Sequence, residues 1–247
     1  MRRIIILTSV LLGLLASLLI SRVDYQAKVE RDDASMIREL AKTRATIEEG
    51  MFRYYTLVEA LEAFVHAQED LYAQDKGLNS EFKRRFDVFV TSLESNSPGI
   101  GSLQLAPQGI VTFVSQEQRN AKAIGHDLLK DPKRRAQVLR TIIDHSTVLA
   151  GPLTLVQGGN AIIARKAIYT RDGAFDSKGA IASGRAAFQA WPNQVPSDFW
   201  GFATLLIHVE ELYKELGILD LPKHYAFAIR GRHALGAQGE VFWGDAD

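Results

Sequence analysis

Seventeen consecutive uncharged residues, Ile4 to Ile20 (IIILTSVLLGLLASLLI), follow Arg2 and Arg3 at the start of the chain. As a helix, at about 1.5 Å per residue, the run is roughly 26 Å long, just enough to cross a bilayer core. The positive-inside tendency leaves the two arginines in the cytoplasm and everything after Ser21 outside. A cleaved signal peptide is the rival reading and puts the bulk of the chain on the same side. It requires small residues before the cut, and Leu18-Leu19-Ile20-Ser21-Arg22 offers no convincing A-x-A site. The sequence thus predicts an uncleaved, single-pass anchor over residues 1–22, crossing the membrane through residues 4–20 of the inner (plasma) membrane, with the rest periplasmic or extracellular.

From Val23 to about Ala67 the chain is charged and almost free of helix breakers. Leu40, Ile47, Tyr54 and Leu61 recur every seventh residue, with Ile37, Met51, Val58 and Val65 alongside. That spacing predicts a long amphipathic helix with a seam. A heptad seam on a helix leaving a membrane finds a like partner, so a homodimer through this stalk is expected. The alternative for Tyr54 to Val65 is packing on the domain above, because the apolar stripe there is wider than a strict coiled coil needs. Gly50 weakens the helix by about 1 kcal/mol relative to Ala. A second helix over Glu81–Ser92 carries Phe82, Phe86, Phe89, Val90 and Leu93 on one face and closes at Ser95-Asn96-Ser97-Pro98-Gly99, which ends the 23–98 region.

After Gly99 the periodicity changes. Ser102–Leu105 and Ile110–Val114 read as strands around the turn signal Pro107-Gln108-Gly109. Asp131-Pro132 caps a helix to about Asp144, with proline at its first position. Strand-like runs follow at Val148–Val156, Ala161–Tyr169 and Phe199–Ile207. Arg171–Asp198 reads as an inserted loop with a short helix near Gly184–Ala190. One helix on about five strands is the pattern of a PAS-like α+β module, placed at 99–208. Val209–Leu216 then connects, by a helix ended at Gly217, to strands over Tyr225–Arg230 and Glu240–Trp243, the start of a second module over 209–247.

Bulk charge selects no partner. Lys plus Arg and Asp plus Glu number 29 each, which leaves no global basic field to draw nucleic acid. The absence of cysteine excludes a disulfide scaffold, a thiol nucleophile and a thiolate metal site. The six histidines form no H-x-x-x-H or H-E-x-x-H pair, so neither metal nor other cofactor is expected. Gly99-Ile100-Gly101 and Gly158-Gly159 lack the context of a phosphate loop, and no G-x-S-x-G occurs. An envelope hydrolase would need a nucleophile and base that the sequence does not offer, so no catalytic residue is expected. Lys133-Arg134-Arg135 with Arg140 reads as a solvated basic helix face.

Four blocks carry a resemblance. They are Gly99-Ile100-Gly101-Ser102-Leu103-Gln104-Leu105-Ala106-Pro107, Ile124-Gly125-His126-Asp127-Leu128-Leu129, Val148-Leu149-Ala150-Gly151-Pro152-Leu153 and Phe199-Trp200-Gly201-Phe202. In this order the chain, over roughly Val58 to Asp247, resembles the CHASE family of extracytoplasmic sensory domains of receptor histidine kinases and nucleotide cyclases. The resemblance implies a stalk helix, a distal PAS-like subdomain holding a small-molecule ligand, and a proximal PAS-like subdomain, here cut short at Asp247. A second membrane helix and an output kinase or cyclase, which the family carries, are not in this sequence. It is therefore expected to be the sensory part of such a receptor, or a receptor without output, and no enzyme itself. A non-catalytic dimerisation module of the cell envelope, its pocket filled by its own side chains, is the second expectation.

The resemblance also implies site residues. In plant cytokinin-binding members an aspartate bonds the ligand through its side chain and a leucine through its backbone. The matching positions are Asp127 and Leu149. An Asp just ahead of a helix equally serves as a cap or turn residue, and the Leu149 side chain is an ordinary core hydrophobe. Arg165 stands in the otherwise apolar strand Ala161–Tyr169, where the plant members have an aromatic, a departure that argues against cytokinin itself. Pointing inward, it is a fork for a carboxylate or phosphate unless Asp127 or Glu117 pairs with it. Alternation puts Arg165 and Lys166 on opposite faces, so at least one of them is expected in solvent.

Overall fold

The computed structural model describes residues 2–68, 80–95, 97, 99–155, 158–169, 196, 198–221, 227–231 and 238–244, with side chains from residue 12 onward. The chain divides into two compact units, Met1–Glu49 and Gly50–Asp247. A single helix, α1 (Arg2–Ala67), runs through the first and into the second. In the first unit the apolar seam stands open, with Ile37 62% and Leu40 44% exposed, and Arg44 pairs with Glu48 one turn on at 2.7 Å. Among the described residues no helix is long and apolar enough to cross a membrane. The side chains of residues 4–11 of the apolar run lie outside the described residues.

In the second unit the upper end of α1 is core. Tyr54, Leu57, Val58, Leu61, Phe64 and Val65 are all buried, so the wide stripe packs on its own domain, as the alternative reading of it expects. Gly50 is buried where a methyl group would come within 2.3 Å of Leu216 Cδ2. The glycine that weakens the helix on propensity therefore admits the end of a later helix. Beside it, Arg53 Nη1 bonds Glu215 Oε1 at 2.5 Å, and the Tyr54 hydroxyl donates to the same carboxylate. Helix α2 (Ser80–Glu94) lays Phe82, Phe86 and Val90 into the core.

The sheet that follows has five antiparallel strands: β1 (Ile100–Pro107), β2 (Phe113–Val114), β3 (Val148–Thr154), β4 (Asn160–Tyr169) and β5 (Phe199–His208), in the order β2-β1-β5-β4-β3. Between them come α3 (Glu117–Asn120), a 3-10 turn (Ala121–Ala123) and α4 (Arg135–Asp144). After the sheet lie α5 (Val209–Glu215) and a two-stranded ribbon, β6 (Ala228–Arg230) with β7 (Val241–Gly244). The expected loop over 171–198 and its helix fall almost wholly outside the described residues.

Two departures from the sequence expectation bear on the site. The strand expected over Ile110–Val114 shortens to two residues, because Ile110 and Val111 instead pair with the segment around His126 and Asp127. The helix expected from Pro132 begins at Arg135. Asp131 holds a turn ahead of it, accepting the Arg134 and Arg135 amides on its carbonyl and the Lys133 amide on Oδ1 at 2.9 Å.

Every residue of β5 except His208 is buried, because elements cover both sheet faces. On one face lie the end of α1 and α2, joined by the rings of Phe64, Phe82, Phe86 and Phe113. Val111, Leu128, Val138 and Ile142 cover the other, against Ala106, Phe202 and Ala167. This double cover corrects the expectation that Arg165 or Lys166 is solvated. Arg165 is 4% exposed on the second face, and Lys166 on the first is held by Glu59 and Glu62 of α1.

Candidate ligand-binding site

Antiparallel register builds one polar row across the second face. Gln104 of β1 pairs with Thr204 of β5, Thr204 with Arg165 of β4, and Arg165 with Val148 of β3. The rows on either side are mainly apolar: Ala106, Phe202 and Ala167 belong to one cluster and Leu206, Ile163 and Ala150 to another, with the buried Ser102 beside Leu206 accepting a hydrogen bond from Gln104 Nε2 at 3.3 Å. A buried polar row dividing two apolar clusters is costly unless its groups are satisfied.

Arg165 is satisfied only in part. Its Nε donates to Thr204 Oγ1 at 3.2 Å and its guanidinium lies 5.9 Å from the centre of the Phe202 ring. Among the described residues no carboxylate pairs with it. Asp127 is engaged by Lys130 at 3.0 Å and Glu117 by Lys83 at 3.0 Å, so neither expected partner reaches it. Burial, and then the nearby charge of Arg134, push Arg165 down to about 10, against a pull upward from Asp131. It remains a cation at neutral pH.

Arg165, Gln104, His126 and Arg134 line a half-open inner cavity of about 30 Å³, together with apolar side chains including Leu155, Ile163 and Leu206. That is room for one or two waters. Outside it lies an open groove of about 610 Å³, and His126, Arg134 and Leu155 line both spaces. Arg134 is no solvated helix residue, in contrast to the sequence expectation. Its Nε sits 3.3 Å from Asp131 Oδ2 and its Nη2 donates to the Thr154 carbonyl at 3.2 Å. Asp131 Oδ2 also lies 3.0 Å from His126 Nε2.

The three residues singled out by sequence do not converge. Arg165 faces the inner cavity and Asp127 the outer groove. Leu149 lines neither; it is half-buried on the edge strand β3, opposite Ala164. The Asp127 carboxylate accepts the Leu129 and Lys130 amides on Oδ1, each at 3.1 Å, in the manner of an Asx turn. Burial raises its pKa, and the Lys130 ammonium and the two amides outweigh that and lower it below the ordinary 3.8. Asp127→Ala is expected to reduce stability by about 1 kcal/mol at neutral pH and Asp127→Asn by less, since the amide keeps one acceptor. A group with a depressed folded-state pKa stabilises above its unfolded value, so the difference between wild type and Asp127→Ala should fade as the pH falls below 3.8. Melting curves across pH check both statements.

Gln104, Thr204, Arg134, His126 and Asp131 were not marked as site residues by the sequence. A signal existed for two of them: Gln104 and Thr204 each interrupt an apolar strand, as Arg165 does.

A model of the CHASE domain matches residues 109–239, which span most of this site. The match takes in more than half of the chain, and the protein belongs to the CHASE domain family of extracytoplasmic sensing domains. Among solved structures, the sensor domain of the histidine kinase DctB from V. cholerae aligns with a TM-score of 0.50 at 12% identity, over 84% of this chain and 65% of that one. An extracellular ligand binding receptor from Desulfohalobium retbaense aligns with a TM-score of 0.41 at 16% identity, over 71% of this chain. The chain spans 26% of that receptor's length and 65% of the DctB domain. No curated protein matches the sequence.

Proposed function

We propose that this chain is the small-molecule-sensing region of a membrane-anchored receptor, with residues 4–20 as the anchor, residues 99–208 as a PAS-like ligand-binding subdomain and 209–247 as the start of a second one. The observation that carries the reading is the nearly fully buried Arg165, with no carboxylate partner among the described residues, in a polar row facing a cavity lined largely by the family-matched segment. Evolution-neutral physics disfavours such a cation in a domain that only needs to pack. Asp127, at the rim, and Leu149, on the edge strand, are the further ligand contacts this reading assigns by resemblance. The exposed Ile37 and Leu40 support pairing of two stalks.

A thermal-shift screen of the full chain in detergent micelles, with purines, amino acids and organic acids, tests the reading. A ligand that binds only the folded state raises the melting temperature with concentration. If no compound of any class does so, the second reading stands: a dimerisation module with its pocket filled from within, which the small inner cavity favours. Cysteines at Leu40 or Ile47 should cross-link two copies in the membrane. Equal cross-linking from Glu39 or Glu48, on other faces of the helix, would remove the seam as an interface.

A further inference from the structure

The chemistry of the inner cavity defines a class of ligand. This inference rests on the sensing role proposed above and deepens it. Two guanidinium groups, Arg134 and Arg165, face the space, and Asp131 is the acid that pairs with Arg134. Among the described residues one positive charge therefore stands unmatched beside two apolar clusters. Thr204 takes the Nε proton of Arg165, and no other hydrogen bond from this guanidinium is made among the described residues. A planar fork left with open donors fits a planar carboxylate. A dianionic phosphate would replace one buried excess charge by another of opposite sign, whereas a single carboxylate cancels it. Leu155, Ile163 and Leu206 line the same space and favour an organic anion over an inorganic one.

We propose that the ligand of this site is a small monocarboxylate gripped by Arg165 and Arg134, and that Asp131 holds Arg134 in its place while the site is empty. At about 30 Å³ the cavity admits little beyond the carboxylate head. His126, Arg134 and Leu155 line both this cavity and the outer groove, so a ligand arriving from the groove meets Arg134 first and exchanges the Asp131 carboxylate for its own.

The test uses the full chain in micelles with sodium acetate, lactate, butyrate and benzoate at matched ionic strength. The corresponding amides and inorganic phosphate serve as controls. At least one carboxylate should raise the melting temperature saturably, while its amide and phosphate do not. Asp131→Asn keeps an acceptor for the Lys133 amide but removes the competing charge, and should tighten carboxylate binding about tenfold, the factor that corresponds to one modest ionic contact. Gln104→Glu places an internal carboxylate on the row of Arg165. It should raise the melting temperature of the empty protein by about 2–4 °C and cancel the response to added carboxylate. Arg165→Met should cancel the response as well; if that variant does not fold, Asp131→Asn and Gln104→Glu decide. The proposal is overturned if no carboxylate acts, if phosphate acts better, or if the response survives Gln104→Glu. Should neutral or cationic compounds of the wider screen bind while carboxylates do not, the ligand class falls and the sensing role remains. Should nothing bind at all, both fall.

Discussion

Phe82→Ala should lower the stability of the Gly50–Asp247 unit by about 3–5 kcal/mol, the range for deleting a buried aromatic ring. For a unit of this size each kcal/mol moves the midpoint by about 2–4 °C, so the melting temperature should fall by roughly 10 °C. The ring is fully buried and sits between three elements: 5.5 Å from Phe64 of α1, 4.9 Å from Phe113 of β2 and 6.5 Å from Trp200 of β5. Removing it opens a void that no single neighbour can fill. Phe89 is the matched control. It stacks on Phe64 at 4.9 Å but is only half-buried, so Phe89→Ala should cost clearly less. Equal losses for the two variants would mean that the aromatic cluster is not the joint between α1, α2 and the sheet.

Lys166→Glu should cost about 3 kcal/mol, because it replaces the cation between Glu59 and Glu62 with a third carboxylate. The partial exposure of the acids keeps the loss near the lower end for a broken buried pair. Burial pulls the Lys166 ammonium down, and its bonds to the two carboxylates more than reverse this, leaving it above 10.5. A raised folded-state value stabilises fully below the unfolded one, so the contribution should persist through neutral pH and disappear as the pH rises beyond 10.5. Adding Glu59→Lys to Lys166→Glu restores an opposite-charge contact with reversed sign. Recovery of more than about 1 kcal/mol in the double variant, measured by denaturant unfolding, identifies a direct pairing; no recovery would assign the loss to strand β4 itself.

Much of this architecture is legible in the order of residues. The aromatic spacing Phe82, Phe86 and Val90 marks α2, and the apolar runs around Ala161 and Phe199 mark β4 and β5, because burial on one stripe or on both faces leaves a periodic trace. Ile110 escapes this logic. Its pairing with Asp127 depends on a segment distant in the chain, and local alternation carries no record of that. The site divides in the same way. Arg165 is conspicuous as a charge inside an apolar strand. Arg134, in contrast, sits in a run of basic residues whose default is solvent, and only the turn held by Asp131 brings it inward. Asp127 is conspicuous through family resemblance, yet its oxygens are committed to the turn that follows it.

Arg165 and Lys166 are consecutive residues of one strand whose side chains are gripped on opposite sides of the sheet, one at the cavity, the other by α1. A single peptide unit, about 3.4 Å of rise, separates the two attachments. No intervening side chain separates the two attachments, so a tilt of the strand at residue 165 would reach residue 166 directly. Thermodynamic linkage then runs both ways. Whatever factor an occupant of the cavity contributes to the preferred seating of α1, holding α1 in that seating returns to the occupant's affinity. If an occupant of the cavity favours one seating of α1, the strand would act as the pivot of a balance, with a weight on either arm read on the other.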